Sequence, residues 1–499
     1  MSALRTLPSG RGSVTSSKSV TSSKSVASSK SVASSKSVTS SKVDLLFRAA
    51  RGIKRWMTGV VCVSSLLLAE TPKVPEPYQS IVELSRSVPP EFAAEALLRV
   101  VESNKITNKD AKRDLVEQAF RLGAMAKFQV RMHGVPGTMV DTRSGYLSRA
   151  YDLKLDALSL QSRAVRNMVT IDPAKARELF LEIPRPALPQ LTCYDPLYYD
   201  VADFYQALGA VVQNAFTPQE RKKEEDLNFL LDYLGQASSP AQLAPLARVI
   251  KSANVSTQQR DILWTKFDGL LESMQPDGRS FTSALDDIRG EIIPAAEASF
   301  EKFKQGSKGC RDDSRPGVTL DLSDGPVHAG KTPTVEHYWE SAAAKQLLEG
   351  AQKLRFTADG KLIADSARAS HEWQDKLTDF LSQLADWTSS QEKSEADYYH
   401  EKCVVYEALV ELIPPGPQRD KTLQAYLDFV SNSNLQRESP LDWFMHAQWM
   451  LERVTNSSNG EPGKLLAAFE GSGNAVLVLY AAEERVFGGQ VPAWVTNSK

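Results

Sequence analysis

Cysteine and histidine are scarce in this chain of 499 residues, at four and six. Neither falls into a spacing that chemistry would demand. No two cysteines stand as C-x-x-C, which excludes a zinc ribbon or a dithiol redox motif. No H-E-x-x-H and no G-x-S-x-G occurs, so the helical zinc-protease signature and the nucleophile elbow are both missing. Long apolar runs are missing too. The one uncharged apolar stretch, Met57–Ala69, has thirteen residues, too few for a helix to span a bilayer. Basic charge is confined to the start. Residues 1–69 hold eleven Lys and Arg against one Asp, and since the whole chain is −2, the 430 residues after them carry −12. An acidic body of that size is a poor nucleic-acid binder.

What is present begins with a leader. Ser13–Lys42 is five hexapeptides of the form SV(T/A)SSK, too poor in apolar side chains to offset chain entropy, so residues 1–42 are expected to be disordered. Arg48, Arg51, Lys54 and Arg55 then precede Met57–Ala69, and Glu70-Thr71-Pro72 follows it. Basic segment, short apolar segment and small terminal residue are the parts of a signal peptide, expected over 43–69 with cleavage after Ala69. Cys62 follows Val60-Val61, which lack the small residues of a lipoprotein cleavage site. A secreted or periplasmic location is therefore expected, with no stable membrane span after cleavage. Of the remaining cysteines, Cys193 and Cys403 are flanked by apolar or aromatic residues and read as buried thiols. The sequence leaves open any pairing among Cys193, Cys310 and Cys403.

The body reads as helix after helix. Asp172-Pro173, Asp195-Pro196, Thr217-Pro218 and Ser239-Pro240 each place a capping oxygen before a proline suited to the first helical position. Thr217–Glu220 and Ser239–Gln242 also read as capping boxes. These starts are 23, 22 and 22 residues apart, so two helices fill about 45 residues. The stripe Leu147, Tyr151, Leu155, Leu158, Val165, Val169 predicts one long helix before Asp172, and Met132–Ser144 reads as a loop. Five glycines and three prolines in Gly306–Pro333 mark a linker between helical domains over 70–305 and 334–499. Further helices are expected over Phe281–Phe303, Glu336–Leu354, Ala367–Ser389, Ser394–Ile413, Gln418–Val430, Pro440–Val454 and Ala475–Phe487. One small β-hairpin is expected at Leu354–Ala364, turning at Asp359-Gly360. The fold class is all-α. The organisation of Glu91–Phe303 resembles the α-solenoid class of tetratricopeptide-like and HEAT-like hairpin arrays, although no repeat carries the tetratricopeptide consensus.

Three groups of residues could carry chemistry. Gly325, Gly330, Lys331 and Thr332 spell G-x-x-x-x-G-K-T, the pattern whose backbone amides and lysine cradle phosphates. Pro326 removes an amide from that cradle, and Pro333 disfavours helix at Thr332. Asp397, His400 and Cys403 are spaced three and three along a helix, with His371 and His337 on neighbouring ones; carboxylate, imidazole and thiolate are all zinc ligands. Trp443, Phe444, Trp449 and Tyr398 could line a groove, or fill the core. The adjacent acids Asp286-Asp287 and Glu483-Glu484 read as solvated helix faces. The expectation that results is a non-catalytic binding or scaffolding protein with no cofactor, whose partner is a protein or a cell-envelope component. An exported metal-dependent hydrolase is the alternative, and nucleotide binding through Lys331 a further one.

Overall fold

Capping side chains of Asn108, Asp156 and Asp172 set where three of the helices begin. The computed structural model describes residues 74–134, 143–191, 195, 197–274, 291, 296–306, 342–388, 395–414, 416–433, 440–455 and 462–488. The hexapeptides, the leader, the G-x-x-x-x-G-K-T stretch, Cys193, Cys310, His337 and Asp286-Asp287 lie outside the described residues. Helices α1 (Tyr78–Leu84) and α2 (Pro90–Glu102) come first. Asn108 then starts α3 (Lys109–Gly123) by accepting the Ala111 N–H at 2.9 Å.

The long helix expected before Asp172 is two helices, α4 (Arg143–Asp152) and α5 (Ala157–Ile171). Lys154 between them is left-handed, with φ 57°. Asp156 caps the new start through the Ser159 N–H at 3.1 Å, and Ala157 and Leu158 donate to the Phe128 and Gln129 carbonyls at 2.8 and 3.0 Å. Amides that a helix start leaves orphaned thus find partners on a distant segment, which periodicity does not register.

Asp172 behaves as expected, accepting the Lys175 N–H at 3.1 Å to start α6 (Pro173–Glu182). Asp195-Pro196 does not. Strand β1 (Met132–Gly134), expected as loop, pairs antiparallel with β2 (Leu197–Tyr199), expected as helix, in the register His133 opposite Tyr198. The next helix, α7 (Ala202–Asn214), starts only where Asp200 accepts the Ala202 N–H at 2.8 Å.

Both predicted capping boxes form. The first opens only a short α8 (Pro218–Lys222), because Glu224 turns left-handed before α9 (Glu225–Gly235). The second opens a 3-10 turn running into α10 (Leu243–Ser252). Helices α11 (Thr257–Ser273) and α12 (Glu297–Gly306) follow.

Beyond them come α13 (Ala342–Arg355), α14 (Asp365–Arg368), α15 (His371–Asp386) and α16 (Glu395–Leu412). The last four are α17 (Pro417–Ser431), α18 (Pro440–Thr455), α19 (Pro462–Gly471) and α20 (Ala475–Phe487). The expected hairpin shrinks to one bridge, Phe356 opposite Leu362. Its loop has three residues rather than two, closed by the Gly360 N–H on the Thr357 carbonyl with Gly360 at φ 78°.

Packing follows chain order through the first half: α2 on α3, α3 on α5, α5 on α6 and α7, α7 on α9 and α10, and α11 on α12. Where α3 crosses α5 the approach is close, since a Cβ at Gly123 would lie 2.9 Å from that of Leu160. In the second half α13 packs on α15 and α16, α16 on α17, and α19 on α20. Two contacts then join the far ends of the chain: α18 lies on α4, and α20 on α1. One hydrophobic core extends from Val74 to Phe487.

Candidate functional site

Helix α2 carries Glu91, Glu95 and Arg99 at intervals of four, so all three share one face. That face is buried, with Glu95 7 % and Arg99 8 % exposed. The charges of Glu95 and Arg99 are held there by partners on other helices. Arg99 donates to Glu483 at 2.9 Å and to Glu484 at 3.4 Å, both on α20, and its guanidinium lies 4.7 Å from the centre of the Phe487 ring. Arg163 on α5 bonds Glu95 and holds both oxygens of Glu102, at 2.6 and 2.7 Å. The expectation that Glu483 is solvated is therefore corrected. Both adjacent acids reach the same buried arginine, Glu483 from a buried position and Glu484 from a half-buried one.

Beside these ion pairs lies a partly enclosed cavity of about 30 Å³. Phe92, Phe444 and Tyr480 form its aromatic wall, with Phe444 edge-on to each of the other two at 5.0 Å between ring centres. Leu153, Leu155, Val476 and Leu479 complete the apolar lining, and Glu95, Arg99 and Glu483 supply the polar part. Oε1 of Glu95 and Oε1 of Glu483 are both buried without a hydrogen-bond partner among the described residues. Burial pushes the Glu483 carboxyl up to about 7; Arg99 pulls it down, and the negative charge of Glu95 pushes it further up. Burial also raises Glu484. Four carboxylates (Glu95, Glu102, Glu483, Glu484) thus share two guanidiniums.

The residues singled out for metal or groove chemistry fall mostly in a second, fully packed cluster. His400 and Cys403 on α16 are buried, at 3 % and 0 % exposure. Nδ1 of His400 is 3.0 Å from Nε2 of His446 on α18, whose Nδ1 is 2.7 Å from Oε1 of Glu407. The Tyr426 hydroxyl donates to that same oxygen at 3.1 Å and sits beside the Cys403 thiol. His371 is not brought here; it starts α15 and is exposed. The Asp397 side chain lies outside the described residues. Among the described residues, no group of three or more His, Cys, Asp and Glu is placed to hold a metal ion.

The four aromatic residues divide between these places. Trp443 is fully buried and donates its ring N–H to the Val430 carbonyl at 2.8 Å. Trp449 is half-buried, 6.5 Å from the Tyr426 ring. Tyr398 packs edge-on to Trp387 and donates to its carbonyl at 2.9 Å. Phe444 alone of the four lines the cavity on α2. Nearby Lys402 donates to the Trp387 carbonyl and the Tyr398 hydroxyl at 2.9 and 3.0 Å, and burial lowers its pKa to about 8.

A third cluster fastens the small sheet to the helices. His133 on β1 lies 2.6 Å from Asp200 and 3.4 Å from Asp152. Arg131 reaches Asp200 at 2.5 Å and Asp203 at 3.1 Å. Burial works against a charged His133, but the Asp152 and Asp200 hydrogen bonds and the Asp200 charge prevail and raise it to about 9. The signal that could have found this cluster is the density of Asp across Asp195–Asp203 beside an Arg-Met-His strand; its partners stand too far away in sequence for spacing to pair them.

Comparison of the chain with protein-family models, with characterised proteins and with solved structures finds no match. No helix among the described residues is long and apolar enough to cross a membrane.

Proposed function

We propose that this chain is an exported, non-catalytic binding protein, and that the cavity between α2, α18 and α20 is its ligand site. One observation carries the reading. Two buried carboxylate oxygens on different helices, Glu95 Oε1 and Glu483 Oε1, lack partners among the described residues, and both glutamates belong to the lining of an aromatic-walled cavity. Leaving such an oxygen unbonded costs about 1–3 kcal/mol, a cost that a ligand able to donate hydrogen bonds removes. Apolar walls with a few convergent polar groups of shifted pKa are the usual makeup of a small-molecule site. In this reading the successive packing of α2 to α12 is an α-solenoid-like array of helical hairpins. Its surface is the contact face for a protein or cell-envelope partner.

Two experiments test the reading. N-terminal sequencing with fractionation of the native cell is expected to find a mature end at Glu70 outside the cytoplasm; an intact leader inside refutes export. A crystal structure of protein purified from that cell in amine-free buffer is expected to show a bound molecule within hydrogen-bond distance of Glu95 and Glu483. A cavity holding ordered water alone refutes the site.

A further inference from the structure

We propose that this cavity takes a small primary ammonium ion, with its N–H groups on Glu95 and Glu483 and its carbon against Phe92, Phe444 and Tyr480. The inference rests on the cavity being a ligand site and names the class of ligand. Charge decides the sign. The network that borders the cavity has four carboxylates and two guanidiniums, so a cation relieves the excess and an anion adds to it. Hydrogen bonding decides the kind of cation. The two unpartnered atoms are acceptors, and an ammonium head brings three donors. Calcium or magnesium asks for about six or more oxygen ligands and zinc for about four of nitrogen, oxygen or sulfur, whereas seven of the ten lining residues are hydrocarbon or aromatic side chains. The walls favour an organic cation, because a ring face attracts positive charge and an alkyl group alike. Size sets the limit: about 30 Å³ admits one or two non-hydrogen atoms beyond the carboxylates.

The test is thermal unfolding of the full-length protein at pH 8 with four probes at matched ionic strength: methylammonium, rubidium and sodium chlorides, and sodium fluoride. Methanol is added as a neutral fifth. Methylammonium is expected to raise Tm by about 2 °C at ten times its Kd, and rubidium, which has charge and a small size but no N–H, is expected to match sodium. Glu483→Gln and Glu95→Gln should each lose most of the methylammonium response. Stabilisation by fluoride or methanol that disappears in Glu483→Gln, with none from methylammonium, overturns the ammonium assignment and leaves the site standing. No probe stabilising the wild-type protein beyond sodium chloride overturns both. Should a variant fail to fold, the contrast between methylammonium and rubidium on the unaltered protein decides.

Discussion

Replacing His133 with glutamine should remove a component of stability that belongs to neutral pH and vanishes in base. The ring titrates at about 9 in the folded chain against 6.5 as the ordinary value. A folded-state pKa above the unfolded one means that the charged ring stabilises the fold fully below 6.5, and that this is lost as pH rises through 9. The distance from 6.5 to about 9 corresponds to about 3 kcal/mol at pH 6, about 2 kcal/mol at pH 7.5 and almost nothing at pH 10. The groups that face the ring are Asp200 and Asp152, with Arg131 opposing and the Tyr198 ring alongside. Asp200 is held well below the usual carboxylate range; that is the same attraction seen from the acid, so it is counted once. Glutamine retains an N–H for Asp200 but no charge. Urea unfolding of both proteins at pH 6, 7.5, 9 and 10 measures the gap between them. It should narrow by about 3 kcal/mol from pH 6 to pH 10. A gap independent of pH, or a ring titrating near 6.5 by NMR, refutes the reasoning.

Glu483→Gln should flatten the opposite end of the pH profile. A carboxyl raised to about 7 stabilises the fold below its ordinary pKa and ceases to as pH rises through 7. The wild-type protein should therefore lose about 3 kcal/mol relative to the variant between pH 4 and pH 8, as measured by urea unfolding. Glu95 and Arg99 on α2, and Tyr480 and Glu484 on α20, are the groups around it. Methylammonium affinity should fall about tenfold from pH 8 to pH 6, read by titration calorimetry. Gly123→Ala gains up to about 1 kcal/mol of helix propensity, yet drives a Cβ to 2.9 Å from that of Leu160; strain of about 1–3 kcal/mol should win and lower Tm. Cys403 is a thiol with no exposure, and should resist iodoacetamide until the chain unfolds, as peptide mass mapping would show.

Local chemistry was readable and non-local chemistry was not. Asp172, Thr217 and Ser239 announce helix starts because cap and amide lie within three residues of each other. In the sequence a Ser-Pro cap at Ser439 announces the helix over Pro440–Thr455, and the run Ala481-Ala-Glu-Glu-Arg485 decides for helix over Ala475–Phe487. Strands β1 and β2 escape any reading by pattern, since each has three residues and about 65 separate them. The break before α5 depends on the Phe128 and Gln129 carbonyls, which nothing near Asp156 announces. At the candidate site, Phe444 was visible as an aromatic that could meet a ligand. Glu95 and Arg99 carry no signal in the sequence, and Glu483 reads there as a solvated helix face, because charge in a helix suggests solvent until its partner is known. The G-x-x-x-x-G-K-T stretch lies outside the described residues.

The pairing of Arg99 with Glu483, 384 positions apart, bears on how the chain is made. At a synthesis rate of about 5–20 residues per second, α2 leaves the ribosome roughly 20 to 80 s before α20 exists. For that interval Phe92, Glu95 and Arg99 wait without the helix that covers them. A nascent chain halted anywhere before residue 475 leaves this face open to chaperones and proteases. Quality control in the cell can therefore read completion of the last helix from the accessibility of the second.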